Sequence, residues 1–333
     1  MKHIQQELLE ATEAERAAAT KRVKKLLSKV RSSVAGFGGA TTMKKGFASK
    51  GKKETTTSST TKIPTGLVDK DGYTAILQEQ GVVRINNVLS KETAQALFSY
   101  ISHEKITSEQ AVANGYINVR SRFSDALLKK NRCDLLLPLE ESSVVMRGLY
   151  ETLRQNTSIS NVLEANFGLD AELYELAALI SDPGSNRQVI HPDVPFQEHM
   201  PLLSCFISLQ DIDPDMGGTV FLPQTNTPQH HEMLNDRSLR DGLLQSTPNK
   251  LSTLNIGDCS IYDQRLLHAG GANASDKRRI IFYFTFRNPA VADPRRINNP
   301  GSIRGELKER KITLGQIREL VSGWATREGI VQP

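Results

Sequence analysis

Apolar positions recur three and four residues apart between residues 2 and 34: Ile4, Leu8 and Ala11, then Val23, Leu26, Leu27, Val30 and Val34. This is the spacing of one stripe on a helix, acidic in its first half and basic in its second, the order that the helix dipole favours. The pattern then lapses. GFGGATTMKKGFASKGKKETTTSSTTK offers almost nothing to bury and predicts a flexible linker. The chain therefore divides into a helix over 1–35, a linker over 36–63 and a folded domain over 64–333.

Within the domain the periodicity changes again. From Asp71 a short helix leads through Gly81 to the strand Val82-Val83-Arg84-Ile85, and Ser90 caps a helix with Ala94, Leu97, Phe98 and Ile101 on one side. Further helices are predicted near 141–155 and 158–167. Beyond them come short β-type runs: Leu173 to Ile180, Pro201 to Leu209, Thr219 to Leu222, Cys259 to Tyr262 and Ile280 to Phe286, separated by Gly, Pro, Asp and Asn clusters. Many short strands with punctuating turns define a sandwich or barrel. The fold class read from this pattern is α+β, a distorted jelly roll with helical buttresses. A last helix carrying Ile312, Leu314, Ile317 and Leu320 closes it.

Charge changes the picture only at one end. The 333 residues carry a net +5, but 14 of the 42 Lys and Arg and only 5 of the 37 Asp and Glu lie in residues 1–62. The folded domain is thus slightly acidic, which argues against nucleic acid as its partner. The basic helix remains a candidate dock for a partner protein, a second subunit or an anionic surface. No apolar run is long enough for a transmembrane helix, and no secretory signal opens the chain. Cys133, Cys205 and Cys259 are odd in number and far apart, which excludes a disulfide framework or a thiolate zinc cluster. These features predict a cytoplasmic protein.

The chemistry begins at Gln188-Val189-Ile190-His191-Pro192-Asp193. An imidazole and a carboxylate two positions apart on an extended segment point to one side and can bind one ion. A second histidine is needed, and His199, His230, His231 and His268 are available. His268 ends a strand flanked by turns in GDCSIYDQRLLHAGG. His230 and His231 sit in a polar stretch and read as solvent-facing, His103 as a helix-surface residue, and His199 as a loop residue near the pocket mouth. Two His and one carboxylate with open positions form the facial triad of non-haem Fe(II) oxygenases. Eleven residues after His268, Arg279 opens the strand Ile280-Ile281-Phe282-Tyr283-Phe284. A guanidinium there can grip the carboxylate of a 2-oxo acid through two parallel hydrogen bonds. Strand alternation puts Arg279, Ile281 and Tyr283 on one face and Arg278 on the other, so Arg278 is the alternative anchor or else a surface charge at a turn.

QVIHPD, SCFISLQDIDPDMGGTVFLPQT and GDCSIYDQRLLHAGGANASDKRRIIFYFTF, with the approach GYTAILQEQGVVRINNVLSKETAQALFSY, resemble the phytanoyl-CoA dioxygenase-like branch of the Fe(II)/2-oxoglutarate oxygenases. The resemblance runs from Asp71 to Arg287. It implies a double-stranded β-helix, the cupin-like jelly roll, with His191, Asp193 and His268 as catalytic iron ligands and Arg279 as the 2-oxoglutarate anchor. It also implies co-substrate contacts from Gln188, three residues before the first ligand, and from Thr219 on a pocket strand. The chain departs from the family at Pro223-Gln224-Thr225-Asn226, where Pro-Gly-Ser-His is frequent.

What the resemblance implies is a dioxygenase using Fe(II), 2-oxoglutarate and O2, with ascorbate as a supporting reductant. It would hydroxylate an unactivated C–H bond of a small anionic metabolite or lipid and release succinate and CO2. The carboxylate of Asp193, which related halogenases lack, favours hydroxylation. Tyr116, Arg120, Arg122, Lys129 and Arg132 precede the barrel in a segment such enzymes turn toward the substrate, and the arginines suit a carboxylate or phosphate. Two other readings keep the barrel: a non-catalytic binding or regulatory module, and another cupin-type divalent-metal enzyme. The complete set of ligands argues against the first, and Arg279 against the second.

Overall fold

In the computed structural model, residues 72–124, 131–293, 295–297 and 300–330 are described. The helix expected over 1–35 and the linker over 36–63 lie outside them, as does Lys129. The chain separates into two compact units, Met1–Thr65 with Thr107–Ile117, and Gly66–Ile106 with Asn118–Pro333. Of the first, only Thr107–Ile117 is described, most of it the end of a long helix. The second holds both sheets and the candidate site.

Helix α1 (Tyr73–Gln80) ends at Gly81, whose φ of 76° turns the chain into strand β1 (Val82–Ile85). Helix α2 (Lys91–Ala113) follows, with the Ser90 hydroxyl accepting the Thr93 N–H and Ala94, Leu97 and Ile101 buried. Strand β2 (Arg132–Leu136) precedes the capped helices α3 (Ser143–Leu153) and α4 (Ser158–Phe167). Then come β3 (Glu172–Ser181), β4 (Leu202–Ser208), β5 (Thr219–Phe221), helices α5 (Pro228–Asn235) and α6 (Arg237–Ser246), and β6 (Lys250–Leu251). Strands β7 (Cys259–Asp263), β8 (His268–Gly270) and β9 (Arg279–Arg287) complete the sheets, and helices α7 (Gly305–Arg310) and α8 (Leu314–Arg327) end the fold.

Two antiparallel sheets result: six strands in the order β1-β7-β4-β9-β3-β2, and three in the order β6-β5-β8. The six-stranded sheet is covered on both faces, so β9 reads as an almost unbroken buried run. One face is apolar and lies under the helices; a Cβ on Gly148 of α3 would meet Leu97 of α2 at 2.9 Å and Phe282 of β9 at 3.5 Å.

The other face is ordered in rows by the strand register. Arg132, Ser181 and Arg279 stand side by side on β2, β3 and β9. Leu136, Ala177, Tyr283 and Phe206 form an apolar row further down, within a cluster that includes Ile281, Ile212 and Met216. Glu175, Thr285, Ser204 and Tyr262 form a polar row at the far end. Residues directly opposite in antiparallel strands share a face, which makes each row a contiguous strip of wall.

Candidate metal centre

The two histidines meet where the small sheet continues past β8. His191 and His268 are directly opposed, His191 N–H donating to the His268 carbonyl at 2.9 Å and His268 N–H to the His191 carbonyl at 3.0 Å. Two residues on, the Asp193 N–H donates to the Gln264 carbonyl at 2.9 Å. The segment thus keeps the extended form that places both side chains on one side. The ligand-type atoms of His191, Asp193 and His268 all lie within 4.8 Å of one another.

Hydrogen bonds fix what each imidazole can offer. Nδ1 of His191 faces the Val189 carbonyl at 2.8 Å, and Nδ1 of His268 faces the Leu266 carbonyl at 2.9 Å. A carbonyl only accepts, so each Nδ1 carries the proton and each neutral ring presents the Nε2 lone pair. Those two atoms stand 3.6 Å and 3.4 Å from the Asp193 carboxylate oxygens. Ligand atoms about 2.1 Å from one ion and at right angles are about 3 Å apart. The donor set therefore fits a divalent first-row cation held on one face, with the opposite positions left open.

Electrostatics prepare the same state. Burial would raise the Asp193 carboxyl, but the charge that His268 and His191 carry when protonated, with the Tyr262 hydroxyl donating at 3.0 Å, lowers it below the usual carboxylate range. Burial, assisted by His191, lowers His268 and keeps it neutral. Burial and the Asp193 charge push the Tyr262 phenol well above its ordinary value, so it remains a donor.

Behind Asp193 sits the polar row. The fully buried Glu175 accepts from the Thr285 hydroxyl at 2.6 Å, Gln264 Nε2 at 3.0 Å and the Ser302 N–H at 3.1 Å. Gln264 also donates to Ser204 at 2.8 Å, so the residue whose carbonyl holds Asp193 is itself anchored to β3 and β4. Burial raises the Glu175 carboxyl.

At the other end lies the arginine row. Arg279 is wholly buried, with Nη1 donating to the Gly217 carbonyl and Nη2 to the Ser181 hydroxyl at 3.0 Å. Its Nε has no hydrogen-bond partner among the described residues. Burial, then the charge of Arg132, lowers it to about 9. A buried donor left unmatched costs about 1–3 kcal/mol, more when charged, so the pocket suits an anion. Arg278 faces away and pairs with Asp182 at 2.5 Å.

The remaining sequence candidates fall as follows. The Gln188 amide oxygen accepts the Gly270 N–H at 2.8 Å, strapping the segment of His191 to the strand of His268. Thr219 is buried on β5 opposite Gly270. His199 is exposed and lines a cavity of about 330 Å3 with Asp263 and Arg265, to which none of the three ligand-type side chains contributes. His231, expected to face solvent, is instead buried, its Nε2 against the Arg265 carbonyl at 2.7 Å, because helix α5 turns it inward. Arg120 and Tyr116 are exposed. Arg132, expected in the same segment, is buried on β2, two strands from Arg279 with Ser181 of β3 between them. Its strand, Arg132-Cys133-Asp134-Leu135-Leu136, is too short and too charged to stand out in the sequence.

A carboxylate-flanked pair of histidines on a jelly-roll-like pair of sheets, beside a buried arginine, is the arrangement of the metal-dependent 2-oxo acid oxygenases. Residues 77–281 match the model of the family described as phytanoyl-CoA dioxygenase (PhyH), and the chain belongs to that family of 2-oxoglutarate-dependent oxygenases. No curated protein matches the sequence. Among solved structures, the chain is similar to the non-heme alpha ketoglutarate dependent epimerase SnoN from nogalamycin biosynthesis, at 19% identity over 66% of this chain and 82% of that one, TM-score 0.49. It is also similar to the carbocyclase SnoK from the same biosynthesis (18%, 71% and 93%, TM-score 0.48). HygX from Streptomyces hygroscopicus, solved with nickel and 2-oxoglutarate, is 13% identical over 66% of this chain and 87% of that one, TM-score 0.47.

Proposed function

We propose that this chain is an Fe(II)- and 2-oxoglutarate-dependent dioxygenase that hydroxylates a C–H bond of a small anionic metabolite or lipid, with His191, Asp193 and His268 as the metal ligands and Arg279 as the co-substrate anchor. The carrying observation is the convergence of two Nε2 lone pairs and one carboxylate within 4.8 Å, with both Nδ1 atoms already committed to backbone carbonyls. Bound iron supplies the coupling of dioxygen activation to 2-oxo acid decarboxylation.

The protein contributes position and charge. Val189 and Leu266 carbonyls hold the rings, and Tyr262 occupies one oxygen of Asp193 so that the other is free for the ion. Arg279 offers a buried cation for the carboxylate of the 2-oxo acid. Gln188 and Thr219 complete the wall between anchor and metal, Gln188 through its strap to Gly270. Phe221 and Tyr262, whose rings pack at 5.1 Å, also lie against the His268 ring at 6.0 and 5.0 Å and give the site an aromatic wall. Among the described residues no helix is long and apolar enough to cross a membrane, and we assign the enzyme to the cytoplasm.

The test is conversion of 2-oxoglutarate to succinate by purified protein. Turnover should require Fe(II) and vanish in Asp193→Ala at unchanged thermal stability of the metal-free protein. Equal turnover with and without Fe(II), or in the variant, contradicts the proposal.

A further inference from the structure

Strands β7 and β8 are joined by a tight turn over residues 263–266, closed by the Leu266 N–H donating to the Asp263 carbonyl at 2.8 Å. Two carbonyls of this turn fix metal ligands. Gln264 accepts from the Asp193 N–H at 2.9 Å and the Val194 N–H at 3.3 Å, and Leu266 accepts from His268 Nδ1 at 2.9 Å. Between them stands Arg265, which is buried.

Arg265 locks the turn from within. Its N–H donates to Asp263 Oδ1 at 2.9 Å, and its guanidinium folds back on the same carboxylate, with Nε 3.1 and 3.0 Å from the two oxygens and Nη2 2.7 Å from Oδ2. Asn226 Nδ2 donates to that Oδ2 at 2.9 Å, and the Arg265 carbonyl accepts from His231 Nε2 of α5 at 2.7 Å.

The same guanidinium reaches the chain that leaves Asp193. Nη1 donates to the Gln197 carbonyl at 2.6 Å and to the Glu198 carbonyl at 3.1 Å, and the group lies over the Phe196 ring at 5.6 Å. Residues 194–201 form neither helix nor strand, so no ladder of their own holds them. They are tied to Gln264 at their start and to Arg265 from the fourth residue past Asp193. A planar fork with five donors can meet one carboxylate and two carbonyls at once, which an ammonium cannot. An ion pair taken out of water adds little net stability over an apolar pair of equal volume, so stability alone gives no reason for a guanidinium here.

We propose that Arg265 is a positioning residue of the metal centre, whose guanidinium ties the 263–266 turn to the segment after Asp193 and so sets how Asp193 meets His268. This rests on the metal-site reading above. Ligands already placed by the chain need no ordering when an ion binds, whereas a loosened turn leaves that ordering to be done at a cost in affinity.

The experiment is anaerobic calorimetric titration of the full-length metal-free protein with Fe(II), with thermal unfolding measured on the same samples. Arg318→Met is the control, because Arg318 is also largely buried and paired, with Glu164 at 2.5 Å, between helices α8 and α4. In Arg265→Met the Fe(II) Kd should rise about ten- to hundredfold, the range for losing a group that orients a ligand, and in Arg318→Met by less than about threefold. Both variants should lose thermal stability. Arg265→Lys, which keeps a charge opposite Asp263 but has one nitrogen in place of the fork, should fold and give an intermediate Kd. A wild-type Kd in Arg265→Met, or in Arg265→Lys where the Met variant does not fold, overturns the proposal. So does an equal rise in Arg318→Met, which would trace the loss to general loosening of the fold. A wild type that binds no Fe(II) is a different result and removes the metal reading itself.

Discussion

Both histidines of the site are oriented by the same device, an Nδ1–H donated to the carbonyl two residues back, so the local chain fixes the tautomer before any metal arrives. Removing one ligand should therefore cost metal binding and leave the fold: His268→Ala is expected to lose Fe(II) binding in an anaerobic titration while its far-ultraviolet circular dichroism matches wild type. The two neighbouring arginines separate cleanly, because Arg279 is buried in the pocket and Arg278 is paired with Asp182 outside it. Arg279→Met should raise the 2-oxoglutarate Kd by the equivalent of about 1.5–3 kcal/mol, and Arg278→Met should not. Glu175 gives a pH signature. Burial raises its folded pKa, so its contribution to stability is full below the ordinary carboxylate value and is lost as pH rises through the raised one. The melting temperature of wild type relative to Glu175→Gln should fall from pH 4 upward, and a flat difference would mean that Glu175 does not titrate there. At this level the sequence was most readable where chemistry restricts residue type and spacing, as at His191, Asp193, His268 and Arg279. It was least readable at Arg132, whose partner in the row is 147 positions away in numbering, and at His231, whose burial depends on how a helix packs.

Strands buried on both faces carry the site. β9 sets Arg279 at one end and Thr285 beside Glu175 at the other, and its outward side chains, Phe282 among them, anchor the sheet under the helices. Phe282→Ala should lower unfolding stability by about 3–5 kcal/mol, measured by denaturant titration, as expected for a fully buried aromatic. The long apolar runs were legible because burial on both sides leaves no alternation to mask them. β2 was not, since its apolar side lies under helices while its polar side, Arg132 and Asp134, faces the pocket. β8 spans three residues and follows from its partners β5 and His191 rather than from its own composition. Helices α5 and α6 leave little trace in the sequence, being polar, with Leu234 and Leu243 among their few buried side chains.

The histidine pair extends the small sheet of the second unit past β8, and Tyr262 of the large sheet donates to Asp193 beside it, so the candidate metal centre lies between the two sheets. Binding of an ion to the native state alone stabilises it in proportion to the logarithm of ligand concentration over Kd. The melting temperature should therefore rise with added divalent metal and return on chelation, a shift that Asp193→Ala should abolish. The family match over residues 77–281 ends within β9, and the basic segment lies outside it. The central claim is most directly tested by adding 2-oxoglutarate to anaerobic Fe(II)-loaded protein and watching for a visible charge-transfer band. A saturable band that is absent in His268→Ala and weakened in Arg279→Met is the predicted result; protein that binds Fe(II) yet gives no band at saturating 2-oxoglutarate would contradict it.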